Sequence, residues 1–150
     1  MAGRAPRLAL AVQHATAAAS LPSIALLRRW AKAAQERDCA VTVRFVGTRE
    51  GQTLNSLYRG KDYATNVLTF VYDGEALEGD IVLCTPVLRQ EAKAQGKSFA
   101  DHCAHLLVHG MLHLQGYDHR RHAEATRMEA REIALLAALG HPDPYAVVDA

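Results

Sequence analysis

The segment HGMLHLQGYDH, residues 109–119, constrains the chain more than any other stretch, because it gathers three of the eight histidines within eleven positions. His109 and His113 are four residues apart, one turn of a helix, which puts their Cβ atoms about 6 Å apart. Two imidazoles at that separation can converge on one cation, with metal–nitrogen distances of about 2.0–2.1 Å. Gly116 stands where a left-handed residue ends the helix and turns the chain back, so that His119 returns as a third donor. Three protein donors leave a fourth tetrahedral position for water, the mark of a catalytic rather than a structural zinc site. Zinc suits three imidazoles, and nickel and copper accept the same donors. Histidines satisfied inside a core would explain the i, i+4 pair equally well. They would not explain a third histidine brought back behind a helix-ending glycine.

His102 and His105 extend the same helical face toward its N-terminus. His105 lies about 6 Å of rise from His109 and about 12 Å from His113, so these residues cannot all share one ion. Packing or exposure is the simpler reading of His105, and a contact to a substrate phosphate is the alternative. Asp118, beside His119, is placed to orient an imidazole through its second nitrogen, or merely to make the turn.

The spacing H-x3-H-x5-H with an intervening glycine matches the long zinc-protease pattern H-E-x-x-H-x-x-G-x-x-H. That pattern carries its general base at the position of Gly110, and glycine cannot move a proton. A peptidase of that mechanism is therefore disfavoured. A bound metal can still lower the pKa of water from about 15.7 to about 7, worth roughly 12 kcal/mol. A carboxylate base contributes less, typically about 10²–10⁴-fold. A metal-dependent hydrolase without the glutamate is consistent with these magnitudes.

A second stretch, LNSLYRGKDYATNVLTF at residues 54–70, places Arg59 and Lys61 on either side of Gly60 where a helix gives way to a strand. Such a turn can project a cation past a sheet edge, and a guanidinium that grips two phosphate oxygens suits a phosphodiester transition state. Alternatively, Arg59 pairs with Asp62 or Asp80 on the surface. Local sequence does not choose between the two.

Around these motifs the pattern alternates strands and helices. Strands are expected at 7–14, 39–47, 66–72 and 80–84, with a turn at Asp73-Gly74. Helices are expected at 22–37, with Ile24, Leu27, Trp30, Ala31 and Ala34 on one face, and near 50–58, presenting Leu54, Leu57 and Tyr58. Another runs from Thr85-Pro86 to Gly96. The serine and acid of SFAD (98–101) open one running to about 115. The last spans 120–139, burying Met128, Leu135, Leu136 and Leu139. Four strands and about five helices in this order predict an α+β fold, and 150 residues without internal repeat predict one domain, 1–150.

Arg4 and Arg7 ahead of LALAV imitate a targeting peptide, but the apolar run is only five residues, so a strand is the better expectation. No run approaches the eighteen or so apolar residues that span a bilayer, so no membrane association is expected. Three cysteines without a CxxC pair point to a reducing compartment, with the cytoplasm as default. The net charge of +1 hides an asymmetry: residues 1–61 carry ten basic against three acidic residues, and residues 62–150 carry seven against thirteen. Two balanced solvated faces explain this, as does a basic surface turned toward a polyanion.

Taken together, these residues resemble the YbeY family of bacterial metal-dependent endoribonucleases that mature ribosomal RNA. The likeness runs through LN..YRGKDYATNVLTF, GDI at 79–81, HLLVHGMLHLQGYDH at 105–119 and MEAREIALLAALG at 128–140. The resemblance implies a zincin-like α+β domain with a four-stranded mixed sheet and the ligand helix packed on it. It implies zinc on His109, His113 and His119, and a functional arginine at Arg59. Lys61 and His105 are then candidates for substrate contact, and Asp118 for support behind a ligand. The implied activity is cleavage of single-stranded RNA, in 16S ribosomal RNA 3′-end maturation and ribosome quality control, with the small ribosomal subunit and its assembly factors as partners. Where the family usually reads Pro-Thr-Asp-Val-Leu-Ser-Phe, this chain has Ala64, Asn66 and Thr69, so it lacks an aspartate that could orient Arg59 or stabilise the strand entry. The rival class is a non-catalytic ribosome-assembly factor whose metal locks the C-terminal helices.

Overall fold

The structure, a computed structural model, describes residues 4–18 and 20–146. In chain order the elements are β1 (Leu8–Ala15), α1 (Ile24–Ala34), β2 (Cys39–Val46), α2 (Thr48–Arg59), β3 (Val67–Tyr72), β4 (Leu77–Cys84), α3 (Thr85–Ala94), α4 (Phe99–Leu114) and α5 (His122–Leu139). The four strands form one mixed sheet in the order β1-β2-β4-β3. β1 and β4 each run parallel to β2, while β3 pairs antiparallel with β4 and lies at the edge. The α+β expectation, with a mixed four-stranded sheet and five helices, is met.

Alternation along the strands divides the molecule. Val41, Val43 and Phe45 of β2 and Ile81 and Leu83 of β4 point into the main core, where Leu27, Trp30, Leu107, Met111, Met128 and Leu136 of α1, α4 and α5 meet them. Burying each such side chain is worth about 1.5–3 kcal/mol. The opposite face carries a smaller cluster of Val46, Leu68, Val82 and Cys84, with Leu54, Phe70 and Val87 packed against it. α4 is central, and eleven of its sixteen residues are buried. It lies close to the sheet because residue 110 is glycine: a Cβ there would come within 3.0–3.3 Å of three Ile81 carbons.

Two helices carry serine caps, of which the sequence predicts the one at Ser98. The Ser23 hydroxyl accepts from the Leu26 N–H and the Ser98 hydroxyl from the Asp101 N–H. The three cysteines are free thiols, all buried. Among the described residues no helix is long and apolar enough to cross a membrane.

Three expectations change. α1 is shorter than 22–37, and Ile24 at its first turn is 57% exposed. In α2 the buried residues are Gly51 and Asn55, while Leu57 and Tyr58 are 72% and 65% exposed. The helix approaches the sheet through Gly51, where a Cβ would lie 3.0 Å from Cys84 Sγ. That close approach rolls the larger side chains outward. Finally, β4 begins at Leu77, with Gly79 inside the strand and a four-residue turn, 73–76, before it. A side chain at Gly79 would run into the Phe70 carbonyl and Leu114, so the glycine admits a close crossing rather than a strand entry.

Candidate metal centre

α4 ends in a Schellman motif, which places the metal-binding candidates. The Tyr117 N–H donates to Leu112 O at 3.0 Å, and the Gly116 N–H to His113 O at 3.1 Å. Gly116 adopts φ +105°, where a side chain would be strained. The chain thereby doubles back and brings His119 beside the last turn of the helix. Ring centroids are 6.5 Å apart for His109 and His113, 5.6 Å for His109 and His119, and 5.9 Å for His113 and His119. Three imidazoles on a tetrahedral zinc would have centroids about 5.2 Å apart, given metal–nitrogen bonds of ~2.05 Å. The triangle is open relative to that value, and His109 stands outside the donor atoms of His113, Asp118 and His119 that lie within 4.8 Å of one another.

The second nitrogens are already engaged. His113 Nδ1 lies 3.1 Å from Tyr117 O. A carbonyl can only accept, so Nδ1 carries the hydrogen and Nε2 keeps its lone pair. Burial pushes the His113 imidazole below its usual pKa, the Tyr117 carbonyl partly opposing, which favours the neutral form that metals require. His109 Nδ1 lies 2.9 Å from Glu132 Oε2. Glu132, on α5, is 1% exposed, and its Oε1 also meets His105 Nε2 at 2.8 Å and the Tyr145 hydroxyl at 2.6 Å. Burial alone would raise this carboxyl, but the hydrogen bonds from His105, His109 and Tyr145 outweigh it and hold it at about 2. An ionised carboxylate can only accept, so His109 also turns an unprotonated Nε2 outward. Imidazoles oriented by a carboxylate and a carbonyl are the usual support of a metal site. The donor set fits a divalent ion.

Asp118 departs from its expected role. Its Oδ1 accepts the backbone N–H of His119 at 2.7 Å, and its Oδ2 is 3.5 Å from Arg120. It therefore steadies His119 through the main chain, not through an imidazole nitrogen. The hydrogen bond from the His119 N–H is also the main cause that lowers its pKa. Donor atoms of His113, Asp118 and His119 all lie within 4.8 Å of one another, so the carboxylate stands among the nitrogens rather than behind them.

His109, His113, His119 and Arg59 all line one cleft of roughly 620 Å3, together with residues 65–70 at the start of β3. Arg59 ends α2, and Gly60 follows in a left-handed conformation (φ +67°). Buried Asn55 donates to Tyr63 O at 2.7 Å and fastens the loop beyond. Neither surface ion pair considered for Arg59 forms: Asp62 accepts from Gln52, and Asp80 from the Tyr72 hydroxyl. Lys61 is exposed but does not line the cleft. His105 does not line it either, because it is buried behind His109 against Glu132, which does not suit a substrate contact. Asn66 keeps the strand-entry function of the missing aspartate, its Oδ1 accepting from the Val67 N–H at 2.7 Å. Its Nδ2 donates to Glu91 at 3.1 Å, where an aspartate would set two carboxylates together.

Sequence reasoning missed Glu132. A signal was present: it lies four residues after Met128 and three and four before Leu135 and Leu136, so an acid interrupts the buried stripe of α5.

Comparison with known proteins agrees with this architecture. The solution structure of TM1509 from Thermotoga maritima superposes with a TM-score of 0.58 at 24% identity, covering 91% of this chain and 99% of that one. A protein of Aromatoleum aromaticum named Endoribonuclease YbeY is 60% identical over 144 residues, 93% of this chain and 94% of the relative. One of the same name from Cupriavidus metallidurans is 55% identical, over 93% of this chain and 74% of the relative. Residues 13–140 match the family described as Endoribonuclease YbeY, and the chain belongs to that family.

Proposed function

We propose that this protein is a zinc-dependent endoribonuclease that cleaves single-stranded RNA, acting in 16S ribosomal RNA 3′-end maturation and ribosome quality control in the cytoplasm, from a single domain spanning residues 1–150. The observation that carries this reading is one cleft lined by three clustered imidazoles and by Arg59. His109, His113 and His119 hold the ion. Glu132 and the Tyr117 carbonyl fix the tautomers of the first two. When bound, zinc supplies Lewis acidity and lowers the pKa of water. Arg59 grips two non-bridging phosphate oxygens and offsets the charge that grows in the transition state. Lys61, two residues on, adds positive charge that draws the backbone in. The family assignment supports RNA as substrate, and it alone supports the small ribosomal subunit and its assembly factors as partners.

A matched pair of substitutions tests this. His113→Ala should be folded, metal-free and inactive, whereas Arg59→Glu should keep its metal and lose RNA cleavage. Collapse of the fold without metal would instead favour a structural metal in a non-catalytic assembly factor. Chelator-sensitive hydrolysis of casein would favour a peptidase, although Gly110 packs on Ile81 where that mechanism puts its base. Asp118→Asn should cost metal affinity roughly 10- to 100-fold if the carboxylate only steadies His119, and more than about 100-fold if it is itself a ligand. Elemental analysis distinguishes zinc from nickel or copper, and a 2′,3′-cyclic product end would identify the ribose hydroxyl as nucleophile.

A further inference from the structure

The metal-lined cleft does not stop at Arg59. Tyr58 and Phe70 line it and also line a second groove of roughly 210 Å3, whose other walls include Arg44, Glu50, Tyr72 and Asp80. The Tyr58 ring is 65% exposed and meets Phe70 edge-on, with centroids 5.0 Å apart at 68°. Phe70 is itself packed against the smaller core, so the pair is a platform anchored from beneath. The charged walls are matched internally: Arg44 holds Glu50 through two bonds of 2.6 and 2.9 Å, and Tyr72 donates to Asp80. The groove thus offers an exposed aromatic face, with its charged groups already engaged, next in sequence to Arg59, which has no ion-pair partner among the described residues.

Those features select an occupant. Tyr58 and Phe70 are shared with the metal-lined cleft, so the occupant is a group continuous with whatever that cleft holds. A flat ring tethered to a phosphate would place its anionic end at Arg59. We propose that Tyr58, backed by Phe70, is the stacking platform for one unpaired base of single-stranded RNA, adjacent to the phosphodiester in the metal-lined cleft. The proposal rests on the RNA reading above. Because Arg44 and Glu50 bind each other and Asp80 accepts from the Tyr72 hydroxyl, the platform recognises a π-face and tolerates any base.

The test measures affinity of the metal-loaded protein for a single-stranded RNA oligonucleotide with uncleavable linkages, at fixed salt. Tyr58→Ala should weaken binding about 5- to 150-fold, the range for removal of one stacked base. Tyr58→Trp should restore it, and neither change should alter metal content or the salt dependence that phosphate contacts produce. Replacing the bases one at a time by abasic sites in the RNA should reproduce the loss at one position, and that loss should vanish in Tyr58→Ala. Tyr58→Ala binding within twofold of the parent, while Arg59→Ala still weakens it, would overturn the platform and leave the RNA reading standing. If the parent protein binds no single-stranded RNA, both fall.

Discussion

One face of α4 carries four histidines, and its two ends treat them differently. Near the N-terminal end, His102 is 2% exposed with Nε2 2.9 Å from Glu91, and His105 is 8% exposed with Nε2 against Glu132. Toward the C-terminal end, His109 and His113 hold their Nδ1 atoms against Glu132 and Tyr117 and turn Nε2 toward the cleft. Residue type and helical phase are shared. The difference lies in which ring nitrogen the surroundings consume. An imidazole held by Nδ1 with an open space ahead keeps a nitrogen free to bind an ion, whereas one whose Nε2 ends on an interior carboxylate is part of the core. Glu132 joins the halves, using one oxygen for each.

The comparison breaks most visibly at the cleft. His113→Ala should cost metal affinity more than about 100-fold, beyond the roughly 10- to 100-fold that loss of a supporting residue costs, as read by a chelator competition titration. Glu132→Gln should fall inside that supporting range, since an amide has one acceptor oxygen where two imidazoles seek one each. If Glu132→Gln binds metal as tightly as the parent, the carboxylate does not tune His109. At the interior end, His105→Ala should leave metal binding within about tenfold but lower unfolding free energy by about 1–3 kcal/mol, because buried Glu132 loses one of its donors. Urea denaturation at neutral pH reads that change.

The smallest effect concerns pH. Burial, the leading cause, pushes His102 below its ordinary value of 6.5, while Glu91 pulls the other way and Lys97 adds to the fall. With the folded pKa below the unfolded one, the unfolded chain takes up the proton first. The contribution of His102 is therefore complete above about pH 6.5 and lost as pH falls through the folded pKa. In metal-free protein, His102→Gln should flatten the decline in urea midpoint between neutral and mildly acidic pH. An unchanged slope would mean that His102 is protonated alike in both states.

Much of the site was legible because it is local. The Ser98 cap, the Gly116 reversal and the His109–His113 turn involve groups within five residues of one another, and short-range geometry alone brings them together. The elements on the face of α4 followed from periodicity for the same reason. Which face of α2 meets the sheet was not legible, because periodicity reports an apolar pattern, not how closely a helix can sit on a sheet, and Gly51 decided that. Local sequence left Arg59 undecided between a phosphate contact and a surface ion pair, and only the resemblance chose, because nothing between residues 59 and 109 says that the two line one cleft.

The amino-acid order by itself determined which residues could donate to a metal and the local turn that returns the third of them. Only the tertiary structure decided which nitrogens remain free to do so. For His109 that choice depends on Glu132, twenty-three residues further along the chain. A hydrogen bond reaches about 3 Å, so its partner is set by the packing of α5 against α4 and not by spacing along the chain.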